Sequence, residues 1–110
     1  MKKKLSLEEE LYQKVSVGDL ILFAISLVEN KKKKPRFEDI TFQCFRLFPK
    51  SFALLGHSKV PDCRKLDRPL RALRRKKLIK GSPKTFFSLT KPGKKKALEI
   101  AKVFRQKKLL

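Results

Sequence analysis

The chain is poor in cysteine and histidine, which limits metal chemistry. Its 110 residues include one histidine, His57, and two cysteines, Cys44 and Cys63, which lie nineteen positions apart in no CxxC pair. Structural zinc sites usually take four ligands at closely paired spacings, so we expect no metal site. We predict that Cys44 is a small core hydrophobe, that Cys63 faces the interior from a helix, and that both thiols are reduced.

Recognisable catalytic patterns are also lacking. The four glycines form no phosphate-cradling loop, and no pair of carboxylates marks an acid–base cleft. No Ser/His or Cys/His pair has the spacing and the third residue that a nucleophilic catalytic triad needs. We therefore expect neither enzymatic activity nor a cofactor.

Long apolar runs are absent as well. The longest, residues 20–28, is nine residues long with only Ser26 polar, about half of the roughly 18 to 20 needed to span a bilayer. Lysines at residues 2–4 imitate the front of a signal peptide, but the glutamates at 8–10 interrupt any apolar segment behind them. We expect an intracellular protein, in the cytoplasm or nucleoid, without a membrane span.

Basic residues, by contrast, are abundant. Thirty Lys and Arg face ten Asp and Glu, which gives a formal net charge of +20, while 41% of the residues, nine Phe among them, are hydrophobic. This composition predicts one domain with a real core and a charged shell. So large a positive charge favours a polyanionic partner, with nucleic acid first and an anionic membrane surface second.

The first predicted helix covers residues 17–30, after an arm or short helix at residues 1–15. Ser16 followed three residues later by Asp19 is typical of a helix N-terminus, and the apolar residues that follow recur at helical spacing. Because this helix is apolar on nearly all sides, we expect it either at the centre of the fold or in a dimer interface.

A basic loop and a second helix are predicted next. Lysines at residues 31–34, followed by Pro35, indicate a solvated loop, with contact to a nucleic-acid backbone as the alternative. The second helix should begin near Phe37, with Glu38 and Asp39 in its first turn, and end at Pro49. Residues 50–61 are predicted to be a connection with at most one helical turn.

The third predicted helix runs from its N-cap, Asp62, to about Lys77, and its two faces differ in chemistry. One face is apolar (Cys63, Leu66, Leu70 and Leu73) and the opposite face is basic (Arg64, Arg68, Arg71 and Arg75). Pro69 removes the bond to the carbonyl of Lys65 and costs roughly 3 kcal/mol inside a helix. This predicts either a kink or a regular helix that begins only at Asp67.

After the third helix the apolar spacing indicates a β-hairpin, with strands at residues 78–80 and 85–89 around a turn at 81–84. Phe86 and Phe87 alternate faces, so one is predicted to be core and the other to be free to stack on a base. Thr90 should cap a last helix whose apolar stripe includes Ala97, Ile100, Ala101 and Phe104. The expected domain covers residues 16–106, with a basic tail at 107–110.

The segment "PDCRKLDRPLRALRRKKLIKGSPKTFFSLTKPGKKKALEIA", residues 61–101, resembles the winged helix-turn-helix regulators, including the MarR-type and PadR-type families. These families commonly carry "L..L...GLI" and then a hairpin ending in "LT..G...A". The matching residues here are Leu70, Leu73, Leu78 with Ile79, and "LTKPGKKKA" at residues 89–97. The family often has Gly just before the first strand of its wing, where this chain has Lys77.

The resemblance implies an α+β, mostly α fold with a three-helix core, a β-hairpin wing and a C-terminal helix. It places the third helix in the DNA major groove and the wing on the backbone. By position, Arg64, Lys65, Arg68 and Arg71 would then face base edges and flanking phosphates, and Arg74, Arg75, Lys80 and Lys84 complete the predicted DNA-binding set. Independently of the resemblance, residues 57–96 contain fifteen Lys or Arg and two acids, a net +13.

The function predicted first is a small DNA-binding transcription regulator that forms a homodimer. One alternative is an RNA-binding or ribonucleoprotein component, since +20 is high for a regulator and RNA is recognised through shape and backbone. Another is a winged-helix adaptor for an acidic protein surface.

Overall fold

The structure of the chain is a computed structural model that describes residues 12, 15–54, 56–62 and 64–109. The elements of this part are α1 (Val17–Asn30), α2 (Phe37–Leu47), the one-turn α3 (Pro49–Phe52), β1 (Ala53–Leu54), β2 (His57–Pro61), α4 (Arg64–Arg75), β3 (Ile79–Gly81), β4 (Phe87–Leu89) and α5 (Lys91–Leu109). The fold class is therefore α+β and mostly α, as predicted. Cys63 lies outside the described residues.

Helix α1 is the central element and packs against α2, α4, α5 and β4. It begins as predicted, since Ser16 Oγ accepts a hydrogen bond from the backbone N–H of Asp19 at 3.3 Å. Its buried residues are Leu20, Ile21, Leu22, Ala24, Ile25 and Val28. A helix that is apolar on nearly all sides must be packed on more than one face, and other elements of the same chain supply most of this packing.

Helix α2 contributes the other side of the core. It begins at Phe37, as predicted, and ends at Leu47, two residues before Pro49. Cys44 is fully buried on its inner face, and burial raises the pKa of the thiol, which therefore stays protonated. The prediction that Cys44 is a core hydrophobe is confirmed.

Phe48 lies at the centre of an aromatic cluster. Its ring centroid is 5.0 Å from that of Tyr12, 6.2 Å from that of Phe52 and 6.1 Å from that of Phe104. Tyr12 is buried, so this part of the predicted N-terminal arm is docked on the core. Apart from Tyr12 and Val15, residues 1–15 lie outside the described residues.

The connection at residues 50–61 differs from the prediction. The one expected helical turn is present as α3, but the rest forms an antiparallel strand pair, β1 with β2, that sequence patterns did not indicate. Ala53 pairs with Pro61 and Leu54 with His57, and the register shifts between these two pairs. So short and irregular a pairing leaves no alternation of apolar and polar residues to detect.

Helix α4 continues through Pro69. It begins at Arg64, so the alternative in which the helix starts at Asp67 is wrong. Asp62 acts at its start as predicted, because its Oδ1 accepts a hydrogen bond from the Arg64 backbone N–H at 3.1 Å. The three apolar residues Leu66, Leu70 and Leu73 are buried, and their packing offsets the bond that Pro69 removes.

The predicted hairpin is present as β3 and β4, with both strands beginning one or two residues later than expected. Ile79 pairs with Leu89 and Gly81 with Phe87. On the other side of β4, the backbone N–H of Phe87 donates to the Pro35 carbonyl at 2.7 Å. Three chain segments therefore lie side by side in the order β3, β4, Pro35.

Helix α5 follows the hairpin directly and extends through Leu109, so most of the predicted basic tail at 107–110 is helical. Of its predicted apolar stripe, Ala97, Ile100 and Phe104 are buried and Ala101 is half-buried. No helix in the described ranges has both the length and the apolar character needed to cross a membrane.

Candidate nucleic-acid interface

The two faces of α4 separate as its sequence pattern predicts. Leu66, Leu70 and Leu73 face the core, whereas the four arginines of the opposite side are exposed: Arg64, Arg68, Arg71 and Arg75. Arg74 is exposed as well. Guanidinium groups are planar multiple donors that match phosphate oxygens and guanine edges. The helix thus presents a row of such donors to solvent while its apolar side fixes it to the core.

The end of α4 turns the chain directly into the hairpin. The backbone N–H of Leu78 donates to the Leu73 carbonyl at 3.0 Å, and that of Lys77 donates to the Arg74 carbonyl at 3.0 Å. This pair of bonds is a Schellman motif, in which Lys77 has a positive φ of 60°. The position at which the families named above often have glycine is left-handed in this chain, although a lysine occupies it.

Two surface cavities that share Arg74 lie at the end of α4, and the second of them reaches β3. Arg71, Arg74 and Arg75 line the first, of about 380 Å³. Arg74 also borders the second, of about 420 Å³, together with Lys77 and Lys80. The structure thus brings four of the eight predicted residues, Arg71, Arg74, Arg75 and Lys80, around two neighbouring hollows.

Lys77 is a member of this group that sequence reasoning left out of the predicted site. Its side chain is exposed and borders the second cavity with Arg74 and Lys80. The resemblance contained a signal, because the families named above often have glycine at this position.

Arg64 and Lys65 have local structural roles at the other end of α4. Arg64 Nε lies 3.1 Å from Asp62 Oδ1, and this hydrogen bond, the largest of several effects of Arg64, lowers the pKa of the Asp62 carboxyl. Lys65 Nζ donates to the carbonyl of Ala53 at 3.1 Å and so ties α4 to β1. The structure thus places both residues apart from the two cavities.

Arg68 and Arg71 differ in their surroundings. Arg71 Nη2 lies 3.2 Å from Asp67 Oδ2 one turn earlier, and both side chains are more than half exposed. Such a surface pair is worth little by itself, so a phosphate can displace the carboxylate at small cost. Arg68 forms no ion pair or side-chain hydrogen bond with any other described residue.

The hairpin carries the remaining predicted cations. Lys80 and Lys84 are exposed and unpaired within the described part of the chain. Phe87 is buried, which confirms that one of the two phenylalanines is core. Phe86 is 37% exposed, and Lys34 Nζ lies 5.0 Å from its ring centroid. Base stacking by Phe86 stays a prediction.

A comparison of the chain with protein-family models, with curated proteins and with solved structures finds no match to it.

Proposed function

We propose that the protein is a winged helix-turn-helix module that binds double-stranded DNA and acts as a small transcription regulator. Helix α4 enters the major groove, and the β3–β4 hairpin lies on the backbone as the wing. The observation on which this rests is the continuity of exposed cations from α4, through the left-handed turn at Lys77, to Lys80 on β3. The described ion pairs along this surface are Arg71 with Asp67 and, at the start of α4, Arg64 with Asp62.

The packing of the hairpin supports the winged-helix assignment. The Pro35–Phe87 hydrogen bond adds a segment between α1 and α2 as a third neighbour of the wing strands. Between α2 and α4, where helix-turn-helix units have a turn of about three or four residues, this chain has α3 and the β1–β2 pair. We propose that this insertion holds the start of α4 in position, because Lys65 of α4 donates a hydrogen bond to it.

Selection from a randomised pool of duplexes at near-physiological salt, followed by sequencing, tests the proposal. A DNA-reading protein enriches a defined motif, and a salt titration on the winning duplex measures the backbone contribution. If six to ten phosphates are neutralised, affinity should fall by roughly 10³ to 10⁵ between 50 and 200 mM salt.

Two outcomes would contradict a DNA regulator. Tighter binding to structured RNA than to any duplex would make the protein an RNA-binding component. Retention of an acidic protein at high salt, with only nonspecific nucleic-acid binding, would make it an adaptor.

A cleft between α1 and α5 supports a homodimer. Its volume is about 860 Å³, its walls include Phe23, Leu27, Ala97 and Ala101, and it also contacts Leu98, which is 65% exposed. Ser26, Glu29, Asn30, Lys33 and Lys94 also line the cleft, so its wall is apolar in part. A projecting apolar side chain beside such a wall can be self-complementary under two-fold symmetry. We propose that Leu98 of each copy enters the cleft of the other.

Sedimentation of the intact chain at micromolar concentration tests the dimer. Because both copies are strongly basic, association should strengthen with added salt. Replacing Leu98 by Glu should give a monomer, whereas replacing the exposed Lys95 by Glu should not. A wild-type chain that sediments as a monomer at all salt concentrations would contradict the dimer.

A further inference from the structure

The lysines at residues 31–34, termed the lysine loop, are fixed in place by backbone bonds. The N–H groups of Lys31 and Lys32 donate to the carbonyls of Val28 and Glu29 at 3.1 and 2.9 Å. Pro35, which is buried, closes the loop through its hydrogen bond to Phe87. A loop held at both ends has little backbone entropy left to lose when its charges meet a ligand.

Two lysines of the loop face a pocket that α2 completes. Lys31, Lys33 and Arg46 line this pocket, whose volume is about 190 Å³. That is several times the roughly 30 Å³ that one water occupies in the liquid, which is enough for a phosphate group. Phe42, which is 64% exposed, forms an apolar wall beside the three cations.

The polar neighbours of the pocket leave it positive. Its one carboxylate, Asp39, accepts a hydrogen bond from the Arg36 backbone N–H at 3.2 Å and forms no ion pair within the described ranges. Gln43 Oε1 accepts from Arg46 Nη2 at 2.9 Å, which orients the guanidinium group. Three cations against one engaged carboxylate favour an anion with several acceptor oxygens.

We propose that Lys31, Lys33 and Arg46 form a second phosphate-binding site, which takes a backbone phosphodiester of the bound nucleic acid. The site rests on the proposed function, because the ligand is the same duplex. The loop borders the wing: Pro35 is bonded to β4, and Lys34 lies over the Phe86 ring. The site therefore extends the footprint past β4, on the side away from β3.

The test compares two double variants with equal loss of charge. Lys31→Gln with Arg46→Gln removes two of the pocket cations, and Lys95→Gln with Lys102→Gln removes two exposed lysines of α5. For duplex binding, the pocket variant should lose about 0.9 from the slope of log K against log salt, which corresponds to one phosphate. Its sequence preference should not change, because phosphate contacts carry no base information.

The outcomes separate this inference from the proposed function. If the wild-type chain binds duplex DNA and the two double variants have the same slope, the second site is wrong and the DNA-binding function stands. If the wild-type chain binds no duplex, both proposals fail.

Titration of the wild-type chain with inorganic phosphate, followed by NMR, provides a readout without DNA. Saturating shifts should concentrate on the amides of Lys31, Lys33 and Arg46, and the pocket variant should lack them. Shifts spread evenly over all the exposed lysines would overturn the site, whether or not the variant binds DNA more weakly.

Discussion

The hydroxyl of Thr90 donates a hydrogen bond to the carbonyl of Lys77 at 2.7 Å, and so joins the start of α5 to the turn that follows α4. The same Oγ1 accepts from the backbone N–H of Gly93 at 3.2 Å, which makes Thr90 the N-cap of α5 as predicted. The Thr90 backbone N–H donates to the carbonyl of Leu78 at 3.1 Å. One residue thus fixes the β3–β4 hairpin between the two helices that flank it.

Replacing Thr90 by Val should lower the free energy of unfolding by about 1 to 2 kcal/mol, since the hydroxyl caps one helix and bonds to the end of another. Thr90→Ser keeps the hydroxyl and should cost far less. Urea denaturation of both variants measures the difference. Equal stability of the two variants would show that the hydroxyl contributes nothing.

Lys77→Gly should raise the free energy of unfolding by about 0.5 to 1 kcal/mol. The positive φ of 60° strains a residue with a Cβ and suits glycine. Lys76→Gly is the matched control, because it removes the same charge one position earlier, where φ is not positive, and it should destabilise. Thermal unfolding of both variants measures the two changes. If both substitutions change the stability in the same direction, Lys77 is not in a left-handed turn.

Gly93→Ala should destabilise by more than about 2 kcal/mol, because a Cβ at residue 93 would lie far too close to the backbone carbonyl oxygen of Leu78. Gly18→Ala is the contrasting change. Its Cβ would lie 3.8 Å from the nearest side-chain atom, an ordinary contact, and helix propensity favours it by up to roughly 1 kcal/mol. If both variants melt at or above the wild-type temperature, the packing of α5 on the turn after α4 is wrong.

Acid should remove a contribution that Asp62 makes to stability. Its pKa is lowered in the folded chain, chiefly by the hydrogen bond from the Arg64 side chain. A lowered folded-state pKa gives stability that is present above the unfolded value, ~3.9, and is lost as pH falls through the folded value. Asp62→Asn keeps an acceptor oxygen for the Arg64 N–H but does not titrate.

The measurement is denaturant unfolding of the wild-type chain and of Asp62→Asn between pH 5 and pH 2. The wild-type advantage should shrink as pH falls. A difference that does not change with pH would mean that the Asp62 carboxylate has no special stability in the folded chain.

Sequence periodicity predicted the elements that bury one face. The leucines of α4 at residues 66, 70 and 73 recur at helical spacing, and all three are buried. The β1–β2 pair escaped prediction because β1 has two residues and its register with β2 shifts, so no alternation exists to find. Pro69 was ambiguous for a different reason: its cost is local, whereas the packing that offsets it comes from elements distant in sequence.

The candidate site likewise has one part that the sequence predicted and other parts that it did not. The basic face of α4 could be predicted because its arginines share one helix. The pocket of Lys31, Lys33 and Arg46 could not, since it depends on how a loop folds back on α2. The engagement of Lys65 by the Ala53 carbonyl was equally hidden, because the strand that supplies the carbonyl was not foreseen.

The base-reading role that we propose for α4 predicts that two pairs of substitutions with equal loss of charge behave differently. Replacing Arg68 and Arg71 by Ala should relax sequence preference, since each good base contact discriminates by about 1 to 3 kcal/mol, roughly 5- to 150-fold. Replacing Lys80 and Lys84 by Ala should weaken binding to all sequences about equally and reduce the salt slope. Competition between the selected duplex and a scrambled one, measured for both pairs, separates the two roles. If both pairs lower the affinity for the two duplexes alike, α4 contacts only the backbone.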